Sequence, residues 1–184
     1  MANVDALVRE YERFVSHPWR PGLSGAERVW FALYAPADER RVRNRLAAFA
    51  LATQRATHGW HSVDLTDAFA QWMAQHDYRD AYFESPDLLE EMVLDDFARS
   101  CAKRVEVVLD AADAQSVVAI SGAASLFGLT RVSRLVETVA ERVSGRLLVF
   151  FPGEYTDHKY RLLDARDGWN YRATPIMARE GENA

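Results

Sequence analysis

The sequence contains a single cysteine, Cys101, among 184 residues. One cysteine cannot form a disulfide within the chain, so the disulfide-stabilised folds of small secreted proteins are excluded. Cys101 falls on the apolar stripe of a predicted helix, which indicates a buried and inert thiol rather than a nucleophile. We therefore expect a protein of the reducing cytoplasm.

Long hydrophobic runs are also missing. The longest apolar stretches have the length of single strands and are interrupted by charged residues, well short of a membrane span. The first fifteen residues carry charges at amphipathic spacing and lack the basic start and continuous apolar core of a signal peptide. We expect no membrane segment and a cytoplasmic location.

Positive charge is in deficit, because 22 Lys and Arg stand against 27 Asp and Glu and the formal net charge is −5. Such a chain is not drawn to nucleic acid by its overall field. One helix does carry a local basic cluster that could touch phosphates: Arg40, Arg41, Arg43 and Arg45. A later stretch carries the opposite bias: Glu84, Asp87, Glu90, Glu91, Asp95 and Asp96. We expect no tight nucleic-acid binding by the chain alone.

Apolar runs of strand length alternate with helical patterns along the chain. Strands that are mostly apolar on both faces are predicted at residues 28–34, 60–65, 116–121 and 147–151, and Pro152-Gly153 is predicted to stop the fourth. Helices are predicted at residues 3–15, 36–56, from about 66, 85–109 and 130–143, and two short strands at 159–163 and 171–176. The pattern predicts a three-layer α/β fold, with a mainly parallel sheet of about four strands, helices on both faces and a C-terminal antiparallel addition.

The predicted domain organisation has three parts. Residues 1–25 form an N-terminal helical arm and a linker, residues 26–178 a single α/β domain, and residues 179–184 a disordered tail. The arm either docks on its own domain, which is the more common outcome, or contacts another protein. Because aromatic and arginine side chains are enriched at interfaces, we expect four of its residues to bind a partner: Tyr11, Phe14, Trp19 and Arg20.

A glycine pattern follows the third predicted strand. From Gly122 to Gly128-Leu129-Thr130 the spacing matches the P-loop GxxxxGK[ST], except that Leu129 stands where the phosphate-binding lysine should be. We interpret the stretch as a degenerate, P-loop-like turn that binds no nucleotide, and no cofactor is expected. A weak anion site at the following helix N-terminus remains an alternative.

Four acids follow the fourth predicted strand: Glu154, Asp157, Asp164 and Asp167. Gathered at a sheet edge, such carboxylates could hold Mg²⁺ and activate water for phosphoester cleavage. However, three arginines are interleaved with them: Arg161, Arg166 and Arg172. Because no metal-ligand spacing is recognisable, structural arginine–carboxylate pairing is the favoured interpretation, and no catalytic or metal-binding residue is assigned.

Several long strings resemble one known family. They are WFALYAPADERRVRNRL, GWHSVDLTDAFAQWM, VVAISGAASLFGLTRVSRLVE, FFPGEY, YRLLDARDGWNY and a closing PI, in this order across roughly residues 28–176. Together they resemble the BrxB family of BREX (bacteriophage exclusion) systems. The family-motif residues near the end are Phe151, Pro152, Gly153, Glu154, Tyr155, Tyr160, Arg161, Asp164, Arg166, Asp167, Trp169, Asn170 and Tyr171.

The resemblance implies a role in bacteriophage defence. BREX systems combine a methyltransferase, a large ATPase and PglZ, a protein with an alkaline-phosphatase-like domain. PglZ is the implied partner, with other BREX proteins as further candidates, and no catalytic residue carries over. The expectation is a non-enzymatic component that binds proteins. Two alternatives stay open: a metal-dependent phosphodiesterase or nucleotide-binding enzyme using acids near Glu154 and Asp164, and a DNA-contacting subunit.

Overall fold

The structure, a computed structural model, describes residues 4–163 and 168–178. Within these residues one six-stranded, mostly parallel sheet lies between two layers of helices. The strands are β1 (Val29–Tyr34), β2 (Gly59–Asp64), β3 (Ser116–Ser121), β4 (Arg146–Thr156), β5 (Lys159–Leu162) and β6 (Thr174–Ile176). The helices are α1 (Val4–Val15), α2 (Glu39–Arg43), α3 (Leu46–Arg55), α4 (Ala68–Ala74), α5 (Arg79–Glu84), α6 (Glu91–Ala111) and α7 (Val132–Val139).

The sheet has the strand order β2-β3-β4-β1-β6, and β5 pairs with β4 outside this path. From β1 the chain crosses to the far edge at β2 and returns through β3 and β4, with all these pairs parallel. The predicted α/β class and helical covering are confirmed, but the strands number six rather than four. The antiparallel addition is β5 alone, because β6 runs parallel to β1 and pairs with the edge that β1 would otherwise leave open.

The predicted stop at Pro152-Gly153 is wrong, because β4 continues through both residues to Thr156. Pro152 is the last residue of β4 paired with β1, and Gly153 is the first paired with β5. A Cβ atom on Gly153 would lie 2.0 Å from the carbonyl oxygen of Arg161, so only glycine fits this close approach. The Pro-Gly pair therefore marks a change of partner strand rather than the end of the strand.

The two faces of the sheet form separate hydrophobic cores, since side chains alternate between faces along each strand. The first core, under α4, α6 and α7, receives Phe31 of β1 and Val149 of β4. The second core, under α1 and α3, receives Trp30 of β1 and Phe150 of β4. β1 and β3 are buried along their whole length, which is the physical reason for their continuous apolar runs.

Some predicted helix boundaries are wrong. The helix predicted over residues 36–56 is a 3-10 turn followed by α2 and α3, with a break before Leu46. The helix predicted from residue 85 begins only at Glu91, after a 3-10 turn at Pro86–Leu88, and α5 was not predicted. β2 begins at Gly59, one residue before its predicted start. Neither α5 nor this 3-10 turn has a buried residue. The sequence therefore shows no apolar stripe at helical spacing from which either element could have been predicted.

Helix α1 packs on its own domain, the more common of the two outcomes that the sequence allowed. Its apolar face, formed by Leu7, Tyr11 and Val15, is buried in the second core. None of the helices in the described ranges combines the length and apolarity needed to cross a bilayer. Cys101 is buried in α6, and burial raises the pKa of its thiol to about 11.

Candidate functional site

A connected polar cluster lies at the carboxyl ends of β1 and β2, the edge where open parallel sheets usually bind ligands. At the end of β1, Tyr34 donates a hydrogen bond to Glu39 Oε2 at 2.6 Å. Arg43 donates from Nε to Glu39 Oε1 at 3.0 Å and from its terminal nitrogen to the Thr66 hydroxyl. Thr66 donates its backbone N–H to Asp64 Oδ1 at 3.0 Å, and its hydroxyl donates to the same oxygen. We call these five residues the edge cluster.

The surroundings of Tyr34, Asp64 and Arg43 shift the pKa of each of these three groups away from neutral pH. Burial and the neighbouring Glu39 raise the pKa of Tyr34 far above its usual range. Burial raises the pKa of Asp64, but hydrogen bonds from Thr66 and Ser121 and the charge of Arg43 lower it overall. The hydrogen bond to Glu39 raises the pKa of Arg43. The edge cluster is therefore a set of mutually satisfied charges that braces α2 against β1 and β2.

Gly122, directly after β3, completes this packing. Its φ angle is +76°, and a Cβ atom there would lie 2.5 Å from the Thr66 nitrogen and 2.9 Å from Asp64 Oδ1. Both the left-handed backbone and the lack of space therefore require glycine. Gly122, the first glycine of the P-loop-like pattern, therefore allows the loop after β3 to pack closely against the edge cluster.

In the rest of the P-loop-like turn, several backbone N–H groups and Leu129 are engaged by contacts within the chain. Leu129, in the lysine position, is half-buried against the first core. The N–H groups of Ser125, Phe127 and Leu129 donate to carbonyl oxygens within the same turn. Since a phosphate cradle needs those N–H groups free and a cation nearby, the turn has the geometry of a structural connection.

A cleft of about 610 Å³ opens beside this turn, and we call it the α7 cleft. It brings the start of α7 together with residues of the C-terminal motif, a proximity that sequence reasoning did not find. Its lining residues are Phe127, Gly128, Leu129, Thr130, Arg131, Val132, Ser133, Phe151, Tyr160, Leu162, Gly168, Trp169 and Asn170. The lining is largely apolar with a few polar side chains, a composition that binding clefts in general share.

The aromatic motif residues hold the C-terminal piece against the sheet. Tyr160 is buried and donates its hydroxyl to the Ala173 carbonyl at 2.6 Å. Trp169 is half-buried, stacks on Tyr171 with ring centroids 4.4 Å apart, and donates from Nε1 to Glu137 at 3.0 Å. Burial, and then the nearby Glu137, raise the pKa of Tyr171 to about 12. Trp169 thus contributes both to packing and to the surface of the C-terminal piece.

Two of the acids proposed for metal chemistry, Glu154 and Asp157, line one small cleft together with Lys159 and Arg161. Glu154 and Asp157 are both exposed, and Asp157 lies in the tight turn between β4 and β5. Glu154 is paired in register with Arg161 across the hairpin, a favourable cross-strand pair of opposite charge. Asp164, Arg166 and Asp167 lie outside the described residues. Among the described residues, no group of three or more His, Cys, Asp or Glu is placed to hold a metal ion.

The arginines proposed for DNA contact are largely paired within the chain. Arg41 lies 3.2 Å from Asp38, and Arg45 lies 2.8 Å from Asp5. Arg43 belongs to the edge cluster. Each such pair lowers the positive charge that the helix can offer to a phosphate backbone.

The aromatic residues predicted to bind a partner take part in packing within the chain. Tyr11 has no exposed surface, and Phe14 is half-buried with its ring centroid 4.9 Å from that of Trp30. Trp19 is also half-buried and stacks on His58 with ring centroids 3.8 Å apart. Partner binding through this segment stays a prediction, but its aromatic side chains already have partners here.

Arg20, the fourth residue predicted for partner contact, is exposed, and its carbonyl oxygen accepts a hydrogen bond of 3.4 Å from Arg146. Arg146 also places its guanidinium carbon 4.6 Å from the ring centroid of Trp19. The linker after α1 is thereby fastened to the start of β4.

Comparison with known families gives one match. Residues 62–176 match the family model described as BREX protein BrxB, which covers more than half of the 184 residues. The matched region contains the second half of β2, all of β3 to β6, the P-loop-like turn and the α7 cleft. No curated protein and no solved structure matches the chain.

Proposed function

The chain belongs to the BrxB family of BREX bacteriophage-defence systems, and from that premise we propose that it is a non-enzymatic component that acts by binding PglZ. The family membership is the observation that carries the proposal. Other BREX proteins are the next candidates for the partner.

The chemistry of the edge cluster supports a binding role. Asp64 and Arg43 occupy the edge of the sheet where a catalytic pair would be expected, but both are engaged by neighbours in the chain. The packed Leu129 and the satisfied N–H groups of the P-loop-like turn also favour a structural role for this edge. The fold therefore serves as a rigid scaffold, and its activity lies in the surfaces that it presents to other proteins.

Co-expression provides the test of the binding role. The full chain carrying a tag is co-expressed with untagged PglZ, and separately with each other BREX protein, and the eluates are analysed by size exclusion with light scattering. We expect a stoichiometric complex with PglZ. A full chain that elutes alone in every combination would contradict the proposal.

An activity assay addresses the non-enzymatic part of the proposal. We expect purified chain with Mg²⁺ or Mn²⁺ to leave bis-p-nitrophenyl phosphate unhydrolysed. Hydrolysis that is lost in Glu154→Gln would favour the phosphodiesterase alternative, whereas hydrolysis that survives this change would indicate a contaminating enzyme.

A further inference from the structure

Four large apolar side chains are exposed in one short stretch of the chain, between the end of α4 and the first turn of α6. The exposed fractions are 68% for Tyr78, 71% for Phe83, 48% for Leu88 and 80% for Met92. They come from the residue before α5, from α5 itself, from the 3-10 turn that contacts α5, and from the first turn of α6. Single exposed apolar residues are common, but a group of this kind marks an interaction surface.

Two of the elements that carry these side chains, α5 and the 3-10 turn at Pro86–Leu88, contribute no buried residue to the protein's cores. The segment is nevertheless ordered by local contacts, since Arg79 donates to the Ala74 carbonyl at 3.1 Å and the rings of His76 and Tyr82 lie 5.1 Å apart. Because this ordered segment buries none of its residues, its large apolar side chains are presented to solvent.

The same stretch is strongly acidic. Residues 77–96 contain eight Asp or Glu and one Arg, and that Arg79 lies 3.4 Å from Asp80. Among the described residues Glu84, Asp87 and Glu90 are exposed and have no ion-pair partner within 4.0 Å. We call residues 77–96 the acidic apolar surface.

The charge restricts what can cover this surface. Nucleic acids and anionic membranes would be repelled by it. A symmetric contact with a second copy would place acids opposite acids, which is costly. A head-to-tail contact would need a basic surface on the other copy. In the arginine cluster, Arg41, Arg43 and Arg45 are paired with acids of their own chain, which leaves the exposed Arg40 as a single cation opposite several acids.

We propose that the acidic apolar surface is the docking site for another protein that presents an apolar groove edged by Lys and Arg. Phe83 and Met92 enter the groove and supply most of the affinity, because large buried side chains dominate interfaces. Glu84, Asp87 and Glu90 pair with the basic edge, which speeds association and selects the partner. The inference rests on the proposed function, since it assigns the surface through which a BREX protein is bound.

The test uses the full chain and the BREX protein that the unaltered chain binds, PglZ being tried first. Two double variants are prepared, Phe83→Ser with Met92→Ser and Glu84→Lys with Asp87→Lys. The matched controls are Val107→Ser, a 58% exposed apolar residue farther along α6, and Glu141→Lys, an exposed acid elsewhere. Melting temperatures establish that each variant is folded, and dissociation constants are measured at low and at moderate salt.

Each double variant should raise Kd by about tenfold or more, while the controls stay within about twofold of the unaltered chain. Binding should weaken as salt rises, and the salt dependence should shrink in the Glu84→Lys, Asp87→Lys variant. Unchanged Kd values in both double variants, with the unaltered chain still binding, would overturn this inference and leave the proposed function standing. Binding to no BREX protein would remove the proposed function and the inference with it. Self-association abolished by the same variants would show that a second copy is the occupant, and would also overturn the inference.

Discussion

The hydroxyl oxygens of Tyr11 and Thr53 lie 2.6 Å apart in the second core, although 42 residues separate them in the sequence. Thr53 donates its own proton to the Phe49 carbonyl at 2.9 Å, so Tyr11 is the donor of the pair. Burial raises the pKa of Tyr11 far above its usual range, which keeps the phenol protonated. This bond and the apolar face around it make α1 an integral part of the α3 layer.

Tyr11→Ala should therefore destabilise the whole domain. We expect a loss of about 3–5 kcal/mol in the free energy of unfolding, as for other buried aromatic residues. Tyr11→Phe, which removes only the hydroxyl, should cost about 1 kcal/mol. Denaturant unfolding monitored by circular dichroism measures both, with the exposed Tyr78→Phe as a control that should change nothing. Equal stability of Tyr11→Ala and the unaltered chain would mean that α1 is detached in solution.

Substituting Arg146 tests whether the linker after α1 is attached to the domain, because Arg146 contacts Trp19 and Arg20 of that linker. Arg146 is buried, and its guanidinium carbon lies 4.6 Å from the Trp19 ring centroid and 5.7 Å from that of Trp30. Arg146→Met keeps the aliphatic packing but removes the cation–π contacts and the hydrogen bonds to carbonyls, so we expect a loss of about 1–3 kcal/mol. Tryptophan fluorescence should shift to the red as Trp19 gains access to water.

Arg142→Met is the matched control for Arg146, since Arg142 makes exposed ion pairs with Glu106 and Asp110. Such pairs contribute less than about 1 kcal/mol. A loss of stability in Arg142→Met as large as in Arg146→Met would contradict the role assigned to the buried guanidinium.

β1 and β3 were predictable because burial on both faces produces a continuous apolar run in the sequence. β3 has the same bounds as its prediction, residues 116–121, since every one of its residues is buried. β4 was predicted too short because Pro152-Gly153 resembles a turn, and only the pairing with β5 shows otherwise. α5 was missed because its apolar residues face solvent and form no inward stripe.

The edge cluster could not be predicted from the sequence in the same way. Arg43 was assigned to a basic patch by its neighbours in sequence, but the structure places it between Glu39 and Thr66. That contact depends on the path of α2 over the carboxyl edge, which no local pattern specifies. The acidic stretch was visible in the sequence, but the exposure of Phe83 and Met92 within it was not.

Gly122 and Gly22 form a matched pair for testing the edge cluster. Both have positive φ angles, +76° and +73°, but a Cβ atom would meet nothing within 4 Å at Gly22 and would meet Thr66 and Asp64 at Gly122. Gly22→Ala should cost about 1–2 kcal/mol from backbone strain alone. Gly122→Ala should lower the free energy of unfolding by about 1–3 kcal/mol more than Gly22→Ala does, because Thr66 and Asp64 of the edge cluster must move. Thermal and denaturant unfolding measure both variants. Equal losses of stability would show that the loop after β3 can shift to accommodate the Cβ atom at little cost.

The pH dependence of stability tests the charge of Asp64. The folded-state pKa of Asp64 is lowered, so its stabilising effect is present above its unfolded pKa of about 4 and is lost as the pH falls through the folded value. Asp64→Asn should therefore reduce stability at pH 7, by less than about 1 kcal/mol because the side chain is largely exposed. The difference from the unaltered chain should shrink below about pH 4. A difference that is constant from pH 3 to 7, roughly the window set by the ordinary carboxyl pKa, would contradict an ionic role.

The P-loop-like turn should not bind nucleotide, even with its lysine restored. Leu129 is half-buried against the first core, and the N–H groups of Ser125, Phe127 and Leu129 are bonded to carbonyls within the turn. A single lysine would add charge without freeing those N–H groups, and they form the greater part of a phosphate cradle. Titration of ATP or GTP with Mg²⁺ should therefore give no saturable heat with the unaltered chain or with Leu129→Lys. Leu129→Met, which keeps the apolar packing, controls for loss of stability. Micromolar binding by the unaltered chain would support the nucleotide-binding alternative, and binding by Leu129→Lys alone would show that the missing lysine is the one barrier.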